Sequence, residues 1–466
     1  MRFQLAVLAA KLSSRLIQTL NLGGGTSYPG WIAQRIDHDV LSKLNQQLTR
    51  GSIFITGTNG KTTTTTLIRK MLEQSGHGVV HNKTGANLMA GITVSFLRNA
   101  NLFGTIHKEA AVIETDEGIF PQLCEVIQPE LVVVTNFFRD QLDRYGELDK
   151  TISYIRLGLT KLPVGSKVLL NADDPMVVGL SGIEGLQYFY FGINDPNMTV
   201  DEMHQIAEGK FCPRCGTMLE YQHYYFSHMG DYSCPNCGFH RPQPHFWADE
   251  VKLKGLLGST VQLSSTSEPA QEIRSSLPGL YNIYNLLAAY AAAGIFGVSV
   301  AHRAKSIEEF QSVFGRMERI QANGKEVIMA LVKNPTGWNE VMRTLFQHQG
   351  KYHLFIALND QIPDGTDVSW IWDADAEQLL ACLPSITGFT ISGSRAYDMA
   401  VRLKYAGLDI PSNAVETDLE RAWELAYSET DPDETLVIVP NYTAMLHLQA
   451  HMAKQGFVKP YWEENI

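Results

Sequence analysis

A chain of 466 residues is long enough for two or three domains, and its 44% apolar content gives each a core to bury. A net charge of −11 at pH 7 argues against nucleic acid as the main partner. There is no apolar run of roughly 18 residues or more, which excludes a membrane-crossing helix.

Leu5, Leu8, Leu12, Leu16 and Leu20 fall at helical spacing, with Lys11 and Arg15 off that stripe, so an amphipathic helix is predicted at the start. It has no small-residue cleavage site, and a signal peptide is not expected. Its leucine face is expected to pack on the chain's own body; peripheral contact with an anionic membrane is the alternative. With a linker it accounts for residues 1–48.

Next comes an apolar run, Ser52-Ile53-Phe54-Ile55, then Thr56-Gly57-Thr58-Asn59-Gly60-Lys61-Thr62-Thr63, then the helical Leu67–Leu72. A strand, a glycine-bearing turn and a helix start form the arrangement that holds a nucleoside triphosphate such as ATP. Gly57 and Gly60 let backbone N–H groups turn toward phosphate oxygens. Lys61 supplies a charge for the β- and γ-phosphates, and the Thr62 hydroxyl stands where Mg²⁺ would sit. The first glycine of the full pattern is replaced by Ile55. A solvated turn is the plain alternative.

Further apolar runs at Val79–His81, Ala110–Glu114, Leu131–Asn136, Lys167–Asn171 and Tyr188–Phe191 alternate with helical stretches, which predicts a doubly wound parallel sheet. Ligands of such sheets bind beyond the carboxyl ends of the strands, where Lys61, Glu114, Asn136 and Asn171 all fall. Glu114 ends four apolar positions and is a candidate Mg²⁺ ligand; Asp116 and Glu117 read as a second pair of candidates or as a solvated acidic loop. Asn136 begins a strand-to-helix junction that runs through Arg139 to Asp143.

Within an insertion at about 205–245, Cys212-Pro-Arg-Cys215 and Cys234-Pro-Asn-Cys237 make two Cys-x₂-Cys knuckles, each followed by a glycine, Gly216 and Gly238. Four thiolates at this spacing predict a closed tetrahedral Zn²⁺ site, structural because no position is left for water. Cys124 and Cys382 lie in apolar stretches and read as buried thiols, which fits a reducing cytoplasm.

After the insertion the sheet pattern resumes and leads to a small-residue helix, Asn285 to Gly294. Nearby, Asn282 and Arg316 are candidates for holding a nucleobase or phosphate. A domain boundary is expected at Asn323-Gly324, giving a first domain over 49–322 and a second, smaller α/β domain over 323–466. In the latter, strands are predicted at Val327–Val332, Tyr352–Leu358, Ile386–Ser392 and Leu436–Pro440, with the first helix at about 338–348.

Taken in order, Gly57-Thr-Asn-Gly-Lys-Thr-Thr, Glu114, Thr135-Asn136, Asn171-Ala-Asp-Asp174, Pro278-Gly-Leu-Tyr-Asn282 and Gly315-Arg-Met-Glu318 resemble the Mur ligase superfamily. The resemblance implies ATP- and Mg²⁺-dependent activation of a carboxylate as an acyl phosphate, followed by attack of an amine. Three features depart from amino-acid-adding members. Only about fifty residues precede the phosphate loop, Tyr281 stands where they carry histidine, and their Asp-Tyr-Ala-His-Asn-Pro appears as Leu331-Val-Lys-Asn334-Pro335.

These departures, the four cysteines and the run from Asn359 to Asp373 are similar to the MurT branch. That likeness implies amidation of the D-glutamate α-carboxyl of the lipid II stem peptide, in the cytoplasm and at the inner face of the membrane. Ammonia would come from a glutaminase subunit, GatD. Catalytic roles then fall to Lys61 and Glu114, and to an aspartate that completes the partner's cysteine–histidine pair. Asp364, Asp367 and Asp373 are the candidates. Asp367 is favoured because Gly365 and Trp370–Trp372 suggest a loop tip on a contact surface. A stand-alone amino-acid ligase and a zinc-bearing ATP-binding scaffold are the competing readings.

Overall fold

The computed structural model describes residues 1–19, 27–82, 86–138, 148–200, 208–310, 315–348 and 350–459. Leu20, the Arg139–Asp143 end of the junction after Asn136, and the first residues of the cysteine-bearing insertion lie outside the described residues.

The central strands of the larger sheet are buried on both faces rather than alternating. Strands β1 (Gly51–Thr56), β2 (Val79–His81), β3 (Ala110–Glu114), β4 (Leu131–Val134), β5 (Lys167–Asn171) and β6 (Gln187–Ile193) pair in parallel. Because successive side chains point to opposite faces, Ile53 and Ile55 enter one core and Phe54 the other, and both faces are buried. One face packs on the helices Lys61–Gln74 and Leu280–Ile295; the other packs on Met89–Asn99, Phe120–Val126 and Leu148–Leu159, with the three N-terminal helices α1 (Arg2–Thr19), α2 (Tyr28–Ile36) and α3 (Val40–Asn45) joining the same core against Met89–Asn99. The insertion supplies a two-stranded ribbon, β7 (Glu220–Phe226) and β8 (Met229–Ser233). Strand β9 (Phe246–Leu253) then joins β6 in parallel, and β10 (Ser259–Ser265) and β11 (Gln271–Ser275) add an antiparallel edge, giving the order β11-β10-β9-β6-β5-β4-β1-β3-β2.

A second sheet has the order β12-β13-β16-β14-β15, from Arg316–Ala322, Lys325–Ala330, Tyr352–Ala357, Ile386–Ser392 and Thr435–Pro440 in chain order. Here the boundary expected at Asn323-Gly324 needs correcting. Those two residues have φ of 46° and 88° and form the two-residue turn of the β12–β13 hairpin, so the second sheet already begins at Arg316. Asn-Gly marks a hairpin because both central positions of that turn require positive φ. The helix expected at about 338–348 spans Pro335–Phe346, with Asn334 as N-cap accepting from the Gly337 N–H at 2.8 Å. Asparagine followed by proline is a start signal, and proline at the first helical position loses no hydrogen bond.

Helix α1 also differs from expectation. Ala6, Val7 and Ala10 are its buried residues, and Leu5, Leu8, Leu12 and Leu16 are exposed. Small residues allow the close approach of α1 to α2 that leucines would block. Among the described residues no helix is long and apolar enough to cross a membrane.

Candidate active site

The turn after β1 is held open by its neighbours. Gly57 has φ 119°, and a Cβ there would stand 2.4 Å from Thr135 Oγ1; Gly60 has φ 85°, and its Cβ would stand 2.0 Å from Asn285 Oδ1. Neither position accepts another residue without displacing a side chain. Asn136 clamps the loop from the strand-end of β4. Its Oδ1 accepts from the Asn59 N–H at 2.9 Å, its Nδ2 donates to Asn59 O at 3.1 Å, and its carbonyl accepts from the Thr58 N–H at 2.9 Å. The Thr58 hydroxyl bonds Phe138 O at 3.2 Å. Asn136 therefore shapes the loop.

Lys61 Nζ reaches Gly57 O at 2.5 Å and Glu117 Oε1 at 2.6 Å. Glu117 is buried, and burial pushes its carboxyl up while the adjacent ammonium pulls it down. The alternative of a solvated acidic loop does not describe Asp116 and Glu117, both of which are buried. Glu114 ends β3 with its backbone N–H and carbonyl bonded to the Asn82 side chain, at 2.9 and 2.8 Å, and its side chain is buried.

A cavity lined by polar and apolar side chains adjoins the loop. Asn59, Gly60, Thr62 and Thr63 form one side, and Tyr281, Tyr284 and Asn285 from Leu280–Ile295 form another. The second sheet closes it with Arg316, Met317, Thr336, Gly337 and Glu340. A bulge falls between Arg316 and Glu318, with Met317 at φ 57°, and aims this segment at the cavity. Asn334 links the halves, its Nδ2 lying 3.4 Å from Asn59 Oδ1. Asn282 is not on the cavity wall. It is buried one layer behind, donating to Pro278 O at 2.8 Å and accepting from Asn285 Nδ2 at 3.0 Å. Asn285, three residues further along the same helix face, takes the wall position. Lys61 and Glu114 also stand outside the cavity lining.

Glu340 was not foreseen. It is 5% exposed, and burial pushes its carboxyl up to about 7 against the pull of Arg343. Oε2 has no hydrogen-bond partner among the described residues, although the side chain lines the cavity. A buried acceptor in this state suits a ligand donor.

The Asn171-Ala-Asp-Asp174 segment is a fastening. Asp173 accepts from Arg241 Nε at 2.7 Å, the Ile193 N–H at 2.8 Å and Tyr284 Oη at 2.8 Å; Asp174 accepts from the Met176, Val177 and Phe137 N–H groups. Arg241 and Tyr232, which bonds Ala172 O at 3.1 Å, belong to the insertion, so the ribbon is tied to the loops around the cavity. Phe226 and Met229, at the ribbon's turn, line that cavity. Nothing in their spacing signalled this, because the ribbon reaches the site only through tertiary packing. The four sulfurs of Cys212, Cys215, Cys234 and Cys237 all lie within 4.8 Å of one another. Tetrahedral coordination at about 2.3 Å per bond places sulfurs about 3.8 Å apart. This donor set fits one metal ion.

In the second sheet's domain the three candidate aspartates part company. Asp364 is buried, accepting from the Thr443 N–H at 2.8 Å and from its hydroxyl, and it holds a loop. Asp367 and Asp373 are exposed. Asp367 accepts from the Ser369 N–H at 2.8 Å, a bond that holds its carboxyl below the usual range. Exposed Trp372 and Tyr405 meet nearby at 5.6 Å between ring centroids.

Residues 55–293 match the family model for the Mur ligase middle domain, and residues 331–445 match the MurT ligase C-terminal model. The chain is 35% identical, over 96% of both chains, to the MurT subunit of lipid II isoglutaminyl synthase (glutamine-hydrolysing) from Staphylococcus aureus (strain N315). It is 33% identical over 98% of both to the subunit of the same name from Streptococcus pneumoniae (strain ATCC BAA-255 / R6). Among solved structures, a type C pseudomurein peptide ligase from Methanothermus fervidus superposes with a TM-score of 0.67 at 23% identity, covering 90% of this chain and 81% of that one. MurF from Thermotoga maritima, in complex with ADP, gives 0.61 at 11%, covering 91% and 84%. Both show the fold alone. The chain belongs to the Mur ligase superfamily and, within it, to the MurT family.

Proposed function

We propose that this chain is the synthetase subunit of a lipid II isoglutaminyl synthase: it amidates the D-glutamate α-carboxyl of the lipid II stem peptide. One observation carries the reading, the phosphate loop Gly57–Thr63 opening beside a cavity closed by Arg316 and the helix Pro335–Phe346.

ATP supplies the phosphoryl group that turns the carboxylate into an acyl phosphate, and Mg²⁺ offsets its charge. In that reading a substrate carboxylate oxygen attacks the γ-phosphorus and ADP leaves. Ammonia then adds to the acyl carbon, phosphate departs, and a proton is lost. Backbone N–H groups of Gly57–Thr63 bind the phosphates, Lys61 exchanges Glu117 for phosphate oxygens, and Thr62 and Glu114 are the metal ligands. Arg316, Asn285 and Glu340 hold the nucleoside end, and Asn282 holds Asn285. Cys212, Cys215, Cys234 and Cys237 hold a structural Zn²⁺.

Neither cysteine outside the four-sulfur cluster is suited to glutamine hydrolysis. Burial pushes the Cys124 thiol up to about 12 and raises Cys382, so neither supplies a thiolate near neutral pH. Ammonia therefore comes from a glutaminase subunit, GatD. Trp372 and Tyr405 offer it an apolar contact beside Asp367, which orients its catalytic histidine. The complex works in the cytoplasm, at the inner face of the membrane.

The test is amidation of lipid II with ammonium or with free amino acids as the nitrogen source, read by mass analysis of the stem peptide. A carboxamide formed from ammonium is expected. Ligation of an amino acid in its place would make the chain a stand-alone ligase.

A further inference from the structure

Helix α1 is set on the molecule with its small residues inward and its leucines outward. At about 100° per residue, Leu5, Leu8, Leu12 and Leu16 cover roughly 80° of the circumference, nearly opposite Ala6, Val7 and Ala10. The four leucines are between 43% and 60% exposed and Met1 is 97% exposed, whereas the three inward residues are at most 1% exposed. Lys11 and Arg15 border the stripe on one side and Arg2 on the other. No acidic residue precedes Asp37, although the whole chain carries a net charge of −11. On α2, which packs against α1, exposed Tyr28 and Trp31 stack at 5.9 Å, and Arg35 lies 4.6 Å from the Trp31 ring.

We infer that this face is a membrane-docking surface, in which the α1 leucines enter the headgroup boundary of an anionic bilayer while Arg2, Lys11 and Arg15 meet lipid phosphates. An interfacial helix needs an apolar stripe bordered by cations, and tyrosine and tryptophan favour that depth. The stripe consists of Met1 and four half-exposed leucines, few beside the roughly 20–30 residues a side of a stable protein interface. A bilayer can take so narrow a stripe, because its contact does not end at the helix. The choice of bilayer also rests on the proposed lipid-linked substrate, which the docked face would meet at the membrane.

The experiment is flotation of the full chain, with its glutaminase subunit, on phosphatidylcholine vesicles with and without roughly 30% phosphatidylglycerol. The wild type should float with the anionic vesicles and release in high salt. Leu8→Ser/Leu12→Ser should lower that partition about ten-fold, and Lys11→Glu/Arg15→Glu should abolish the preference for anionic lipid. Amidation of a water-soluble short-chain substrate analogue should be unchanged in both variants, while amidation of vesicle-borne lipid II falls. Wild-type protein that ignores anionic vesicles, or leucine variants that float as well as wild type, would overturn the inference. So would light scattering that shows the leucine variant turning a dimer into a monomer, because a second copy would then cover the stripe. Loss of amidation on the soluble analogue by the wild type itself would count against the proposed reaction and leave the docking surface standing.

Discussion

The fold sets the protonation of Glu340 through burial. Burial raises its carboxyl to about 7, so the folded chain favours the neutral form and the unfolded chain the charged one. The stability this gives is fully present below about pH 4.5 and is lost as pH rises through about 7. Glu340→Gln fixes the neutral form. Its melting temperature should match wild type near pH 5 and exceed it at pH 8, by the equivalent of about 1–3 kcal/mol. Parallel pH profiles of the two proteins would contradict this. Asp367 behaves oppositely, being exposed, with its carboxyl held low by Ser369. Asp367→Asn should cut glutaminase turnover of the complex at least ten-fold with ATP binding intact. An unchanged turnover would pass the role to Asp373, since Asp364 is committed to Thr443. At this scale the sequence shows residues whose chemistry is local, such as Lys61 and the four cysteines. It does not show Glu340, an acid flanked on its helix face by Thr336, Gly337 and Thr344, whose meaning depends on a cavity assembled from segments distant in the chain.

Elements were legible where periodicity and burial agree. The central strands β1, β3, β4 and β5 are mostly apolar because both faces are covered, and the Asn-Gly turn and the Asn334-Pro335 start obey local rules. Helix α1 defeats the same logic, since an apolar stripe says that a face is covered without saying by what. The ribbon is the less local case. Its cysteines predict a metal, but its attachment through Arg241–Asp173 and its contribution of Phe226 and Met229 to the cavity follow from packing alone. From that attachment, metal loss should reach the nucleotide. Cys234→Ser, or chelation, is expected to release zinc and weaken ATP binding about ten-fold, equivalent to about 1.4 kcal/mol. Calorimetry on metal-depleted protein checks this, and an unaltered affinity would confine the ribbon to a role elsewhere.

Across the whole molecule, two sheets share one cavity. The first contributes Asn59, Gly60, Thr62 and Thr63 of the glycine-bearing turn with Asn136 and Asn285; the second contributes Arg316 and Glu340, while its N-cap Asn334 touches Asn59 from beside the cavity. In the proposed reaction the shared cavity would bring the nucleotide to the activated acid and to ammonia from the partner. The most direct test is the ratio of ADP released to amide formed by the complex supplied with lipid II, ATP and ammonium. One ADP per amide is expected, with both falling on the order of 100-fold or more in Lys61→Ala while bound zinc is retained. Amide formed without ADP, or at an undiminished rate in Lys61→Ala, would contradict phosphoryl transfer at this loop.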